Sequence, residues 1–346
     1  MDNIVPFYVM DLLARAKELE ASGRSVIHME VGEPDFTTAT PIIEAGKRAL
    51  DAGHTGYTPA TGIPQLKKAI ARHYRDWFDI DIDPRRIIVT PGSSGALQLI
   101  LAVLVDPGRE VLMTDPGYPC NKNFVEFLSG VPKPIPVVPE SDYQLNSEQV
   151  AAAWNELTCA ALVATPSNPT GTMLSRPELA RIYDVVSSKG GTLIVDEIYQ
   201  GLVYGSDNYT ALSLADDLFV LNSFSKYFGM TGWRLGWLVA PEFYLDRLDC
   251  LAQNIFLSCS APAQYAALEA FSPQCYEIFK HRRDEFKKRR DFLLSALKSI
   301  GFEIPVTPEG AFYLYANCST LTDDSFRFCY ELLEAEGVAI TPGKDF

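Results

Sequence analysis

The feature that most limits what this 346-residue chain can become is an alternation of short apolar runs and helical segments that sets in at Arg86. Seven β-rich runs stand in order: RIIVT, EVLMT, KPIPVV, AALVAT, GTLIVDE, LFVLNSF and LGWLVA. Helical stretches near 95–105, 119–129, 147–155 and 176–189 separate most of them. Strands that alternate with helices pair in parallel and bury both faces. The pattern therefore predicts an α/β fold: a mostly parallel seven-stranded sheet with helices on both faces. Ligands of such sheets bind beyond the carboxyl ends of the strands.

Outside this block the pattern changes. Leu12, Leu13, Ala16 and Leu19 recur at helical spacing, so residues 7–21 read as an amphipathic helix that stops at Gly23. VGEPDFTTATP is a loop rich in breakers, and a helix from Ile42 to about Ala52 follows it. After Pro241 a long helical stretch to about Ile300 precedes FEIPV, AFYLYA, a helix near 323–336 and GVAITP. Those pieces describe a smaller α+β domain. The expected division is residues 1–40 as an N-terminal segment packing with the small domain, 41–250 as the large domain, and 251–346 as the small one. Two domains also suit the length, at about 150 residues each.

Charge narrows the partners. Thirty basic against 44 acidic residues leave a net charge of −14, which disfavours phosphate backbones and anionic membranes. The run KHRRDEFKKRR at 280–290 accordingly reads as a solvated helix face. An uninterrupted apolar stretch of about 18 residues is absent, and the N-terminus lacks a basic n-region. Seven cysteines, at 120, 159, 250, 259, 275, 318 and 329, are odd in number and never spaced as CxxC. A disulfide framework and a metal cluster are both poor readings of that set. The expectations are a cytoplasmic protein with small-molecule substrates, no nucleic acid, no membrane and no metal.

The most informative segment is Ser223-Phe-Ser-Lys226-Tyr-Phe-Gly-Met-Thr-Gly-Trp-Arg234, directly after the apolar run LFVLN. A lysine at a strand's carboxyl end can form a Schiff base with an aldehyde if its amine is desolvated or near positive charge. Ser223 and Arg234 flank it with a hydroxyl and a cationic fork suited to a phosphate. Alone, Lys226 is as often a surface lysine in a glycine-rich loop. It is not alone. GTLIV ends in Asp196, with Tyr199 three residues on, and a carboxylate there can hold a heterocyclic nitrogen protonated. Asn168, in ATPSNPTG, points an amide at the same edge, and Asn168–Pro169 is expected to be cis because functional turns are where cis prolines persist. TPGSSGAL opens a helix with Ser93 and Ser94, where N–H groups and the helix dipole favour an anion. DPGYP brings the aromatic face of Tyr118.

GSSGAL, PGYP, PSNPTG, DEIY and SFSKYFGMTGWRLGW, in that order, resemble the fold-type I pyridoxal-phosphate aminotransferases of class I/II. The likeness runs from VGEPDF at 31–36 to TPGKDF at 341–346. It implies pyridoxal 5′-phosphate as cofactor, with Lys226 as the Schiff-base lysine and the base that moves the substrate proton. It implies that Asp196 pairs with the ring nitrogen, that Tyr199 and Asn168 bond the ring's phenolic oxygen, and that Tyr118 stacks on the ring. Ser93, Ser94, Ser223 and Arg234 would hold the phosphate, and Tyr57, in GYTPATG, would reach the phosphate of a neighbouring subunit in a homodimer. Gly32 would line the substrate carboxylate together with Asn168. The implied reaction is ping-pong transfer of an amino group between an L-amino acid of aspartate, alanine or aromatic type and a 2-oxo acid, with 2-oxoglutarate as acceptor. A C–S β-lyase on the same fold would use the same lysine and aspartate. A pyridoxal-phosphate-sensing regulator would need a basic DNA-binding extension that the residues before VGEPDF do not form.

In that family TPG-x-x-F runs on to an arginine that clamps the substrate α-carboxylate. Here the sequence stops at Phe346, so either the segment carrying it lies beyond this sequence or the anchor does not exist. The chain is then expected to capture cofactor but to convert amino donors poorly. Side-chain choice is expected to rest on Phe7, Tyr8, Val9 and loops of a partner subunit.

Overall fold

The computed structural model describes residues 8–205 and 208–346. In chain order they form α1 (Tyr8–Ala21), β1 (Ile27–His28), α2 (Thr40–Asp51), α3 (Pro64–Phe78), β2 (Ile87–Thr90), α4 (Gly92–Leu104), β3 (Glu110–Asp115), α5 (Cys120–Phe127) and β4 (Val131–Pro136). There follow α6 (Ser147–Ala153), β5 (Thr158–Ala164), α7 (Arg176–Ser188), β6 (Thr192–Asp196), β7 (Phe219–Ser223) and β8 (Gly236–Val239). The last elements are α8 (Leu245–Ile255), α9 (Ala261–Glu269), α10 (Pro273–Ser299), α11 (Ser325–Glu336) and β9 (Val338–Ala339).

Among the described residues, seven strands make one sheet in the order β2-β8-β7-β6-β5-β3-β4. β8 runs antiparallel to β2 and β7, and the other pairings are parallel, as the alternation predicts. The edge position of β4 follows from its sequence. In VPKPIP the prolines fall on alternate residues, so all three missing N–H groups belong to one side of the strand. Val131 and Val137, which bracket the run, donate to Arg109 and Asp115 on the β3 side.

Period-two alternation divides the core. Ile88, Val111, Leu162, Ile194, Leu221 and Leu238 face α4 and α8 on one side. Ile87, Leu112, Val163, Val195, Val220 and Val239 face α2, α3, α7 and α9 on the other. Each such side chain, fully buried, contributes roughly 1.5–3 kcal/mol. β7 is buried at every residue, which makes it a stiff base for the loop that follows.

Helix ends follow local rules. Asn146 and Gln149 close a capping box on α6, while Ser175 and Ser272 cap α7 and α10 just before a proline-containing first turn. Two sequence expectations are corrected. The stretch after Pro241 is three helices, α8, α9 and α10, because Ser260 with Pro262 and Ser272 with Pro273 each start a new one. FEIPV and AFYLYA form no strands; one isolated bridge joins Glu303 to Asn317, the residue after AFYLYA. Pro305 removes a ladder donor, and Ala311 at φ 56° turns the chain away from extended geometry. The α3 helix goes beyond the sequence reading. Its core stripe of Leu66, Ile70 and Tyr74 behind Pro64 was a usable signal.

Away from the large sheet, β1 pairs with β9, and Leu12, Ala16 and Leu19 of α1 pack with Cys329 and Leu333 of α11. Among the described residues no helix is long and apolar enough to cross a membrane.

Candidate active site

Sheet direction gathers the motifs. The carboxyl ends of β2, β3, β5, β6 and β7 lie along one edge, and Gly236, the first residue of β8, is paired there with both Thr90 and Ser223. The turns after those strands carry Ser93 and Ser94, Tyr118, Asn168, Tyr199 and Lys226, and Arg234 precedes β8. Segments far apart in sequence therefore share one cleft.

Lys226 is half-buried, and its amine donates to the carbonyl of Gly32. Nζ lies 5.8 Å from the ring centres of both Tyr199 and Phe312. Burial brings the amine down from 10.5 to about 8; Glu33 and Asp196 oppose the change, while Arg234 adds to it. A free-base amine is therefore accessible near neutrality, the condition for attack on an aldehyde.

Asp196 ends β6 with one carboxylate oxygen accepting the Ile198 N–H at 2.9 Å. Burial raises its carboxyl to about 7 against the pull of that bond and of Lys226. A desolvated acid regains its charge when a cation comes alongside, so this position suits a protonated ring nitrogen. Directly behind it Glu197 is 1 % exposed. Its carboxyl is pushed up to about 8 by burial and is held by Ala211 N at 2.6 Å, Gln200 Nε2 at 2.9 Å and Thr210 Oγ1 at 3.1 Å. This clamp on the β6 turn has no distinct signal in sequence beyond the DEIY string.

Tyr199 is buried, and its hydroxyl receives Asn168 Nδ2 at 3.4 Å. Asn168 follows a cis-Thr165–Pro166 bond and precedes the expected cis-Asn168–Pro169 bond; Asp115–Pro116 is cis as well. Asn168 Oδ1 is buried without a hydrogen-bond partner. Tyr118 is half-buried at the same edge, where burial raises the ionisation of its hydroxyl and Cys120, Tyr313 and Asp196 add to the rise.

The anion end is built at α4. Gly92, at φ 71°, begins the helix, and a Cβ there would stand 2.6 Å from Arg234 Nη2. The glycine thus lets the guanidinium lie against the helix start, where N–H groups and dipole already favour an anion. Ser93 and Ser94 remain partly open in that first turn. Ser223 differs: it is 1 % exposed, with its hydroxyl bonded to Ser225 Oγ at 2.9 Å and to the Leu235 carbonyl at 3.2 Å. Tyr57 also stands apart, 85 % exposed. Phe7 lies outside the described residues, and Tyr8 and Val9 open α1.

The residues present fit pyridoxal phosphate. A depressed amine, a carboxyl awaiting a cation, an orphaned amide oxygen and a helix start backed by an arginine occupy one cleft. Two residues go beyond the sequence reading. Phe312 and Tyr313 line this cleft from AFYLYA, where an expected strand hid them, and Tyr313 Oη is 2.5 Å from Tyr199 Oη.

Comparison with known proteins agrees. The profile of the family described as Aminotransferase class I and II matches residues 24–346. The (5-formylfuran-3-yl)methyl phosphate transaminase of Methanocaldococcus jannaschii is 38% identical over 99% of this chain and 90% of its own length. The valine–pyruvate aminotransferase of Mycobacterium tuberculosis is 37% identical over 99% of this chain and 89% of its own. A crystal structure of an aminotransferase from Mycobacterium tuberculosis superposes with a TM-score of 0.96 at 36% identity, covering 100% of this chain and 89% of the other. With ordered motifs, cleft and whole-chain likeness in accord, the chain belongs to the class I and II aminotransferases.

Proposed function

We propose that this chain uses pyridoxal phosphate, bound through Lys226, to exchange an amino group between an L-amino acid and a 2-oxo acid, with 2-oxoglutarate as acceptor. The observation that carries it is Lys226 and Asp196 facing one cleft with their ionisation pushed to about 8 and about 7. The cofactor, when bound, supplies an electron sink for the carbanion formed at the substrate Cα. Each residue then has a task. Lys226 Nζ would take the proton from the substrate Cα and hand it to the cofactor's C4′, the shift that leaves the amino group on the cofactor. Asp196 holds the ring nitrogen protonated, and Tyr199 and Asn168 bond the phenolic oxygen. Tyr118 covers the ring face, and the α4 start with Ser93, Ser94 and Arg234 grips the phosphate. The buried Ser223 hydroxyl supports that grip from behind. Gly32 and Asn168 meet the substrate carboxylate.

An aromatic cleft wall of Tyr118, Phe312 and Tyr313 supports an amino donor with an apolar or aromatic side chain beside the aspartate and alanine types. The test is a panel of amino donors with 2-oxoglutarate, run beside cystathionine. Glutamate formation from one donor class is expected. Pyruvate and ammonia from cystathionine without glutamate from any donor would replace the transaminase with a β-lyase.

The exposure of Tyr57 supports a homodimer in which it reaches the partner's phosphate site. Solution scattering should give a dimer, and Tyr57→Phe should weaken cofactor binding by about tenfold, as expected for loss of a hydrogen bond to a charged group. A monomer with undiminished cofactor affinity would end that reading.

A further inference from the structure

AFYLYA was expected to be a strand, and what it does instead has a chemical consequence. Ala311, at φ 56°, turns the chain so that Phe312 and Tyr313 enter the cleft. Tyr313 crosses Tyr199 edge to face, with ring centres 5.5 Å apart and hydroxyl oxygens 2.5 Å apart. Gly32 leaves space for that hydroxyl, because a Cβ at Gly32 would collide with it. Gly32 is also the residue whose carbonyl takes the Lys226 amine, so Tyr313, Tyr199 and Lys226 meet around one backbone position.

Proton bookkeeping assigns directions. Burial raises the ionisation of both phenols above the usual tyrosine value, so each carries its proton at neutral pH. A tyrosine oxygen donates one hydrogen bond and accepts two. The Asn168 amide occupies one acceptor position of Tyr199. If Tyr199 gives its own proton to a ligand oxygen, the short contact with Tyr313 can exist only with Tyr313 donating into the second acceptor position. Donation into a hydroxyl strengthens that hydroxyl as a donor in turn.

We propose that Tyr313 is a positioning residue that acts through Tyr199: it donates to the Tyr199 hydroxyl, fixes its direction and makes it a stronger donor to the cofactor's phenolic oxygen. The inference rests on the assignment of Lys226 and Tyr199 to the cofactor. Its effect falls on the proton shared between Lys226 Nζ and that oxygen. A stronger donor stabilises the negative oxygen and lets the nitrogen lose its proton at lower pH. Removing the Tyr313 hydroxyl should do the reverse.

The experiment is a pH titration of the bound cofactor's absorbance in the wild-type chain, Tyr313→Phe, Tyr199→Phe and the double variant. Tyr313→Phe is expected to raise the midpoint by about half a pH unit, the scale of one neutral hydrogen bond, with about threefold weaker cofactor binding. Tyr199→Phe should raise it by about one unit or more, and the double variant should match Tyr199→Phe alone, because Tyr313 has no other route. An unmoved midpoint in Tyr313→Phe beside a shift in Tyr199→Phe would overturn the inference and leave the cofactor assignment standing. Strictly additive shifts would overturn it too, since Tyr313 would then act directly. No shift in Tyr199→Phe would remove the assignment and the inference together.

Discussion

Lys226→Ala is expected to lower amino transfer by roughly 10,000-fold or more, since the variant loses both the covalent attachment and the base that handles the Cα proton. In the unaltered chain, borohydride reduction followed by peptide mass mapping should leave pyridoxyl label on Lys226. Label on another lysine would sink the assignment. The burial that brings the Lys226 amine to about 8 adds a pH signature. The free base is the nucleophile, so cofactor capture should quicken about tenfold per unit as the pH rises toward 8 and then level off. A rate that keeps climbing in that manner to pH 10 would show an amine with an ordinary lysine ionisation.

Asp196→Asn should still capture cofactor, because Lys226, the α4 start and Arg234 are untouched, yet lose roughly 100- to 10,000-fold in the amino-acid half-reaction. An amide cannot hold the ring nitrogen protonated, and a desolvated ion pair of this kind is worth several kcal/mol in the barrier. The wild-type carboxyl, raised to about 7 by burial, is the group that a bound cation would bring back to the charged form at neutral pH. Stopped-flow spectra with an amino donor, normalised to cofactor content, measure the effect. Near-normal rates in Asp196→Asn would contradict the electron-sink role.

The large sheet was legible because its information is local. Apolar runs of strand length, alternating with amphipathic segments, leave few alternatives to a parallel sheet. The same locality holds for the Asn168–Pro169 bond. The caps of α6 and α7 and the edge place of β4, whose prolines exclude it from the interior, rest on local residues too, but they emerged only with the structure. The smaller region was harder to read. FEIPV and AFYLYA have strand-like composition, and strand formation depends on a partner edge that composition does not reveal. The three helices after Pro241 were hidden for a simpler reason: Ser260 and Ser272 cap and restart a helix within what reads as one long helical stretch.

Sequence by itself determined the fold class, the family, and which side chains end up along one edge of the sheet, because residues that directly follow parallel strands must share that edge. Tertiary structure decided what those groups can do. The ionisation of Lys226 and Asp196 is set by burial, and burial depends on what covers the cleft. The Ser223 hydroxyl turns out to be bonded inside the protein, and Glu197 to clamp the β6 turn. Tyr313 meets Tyr199 across 114 residues of chain, through a left-handed turn at Ala311 and a side chain that Gly32 lacks. Contacts of that kind are created by the packing of distant segments, and no local pattern of residues encodes them.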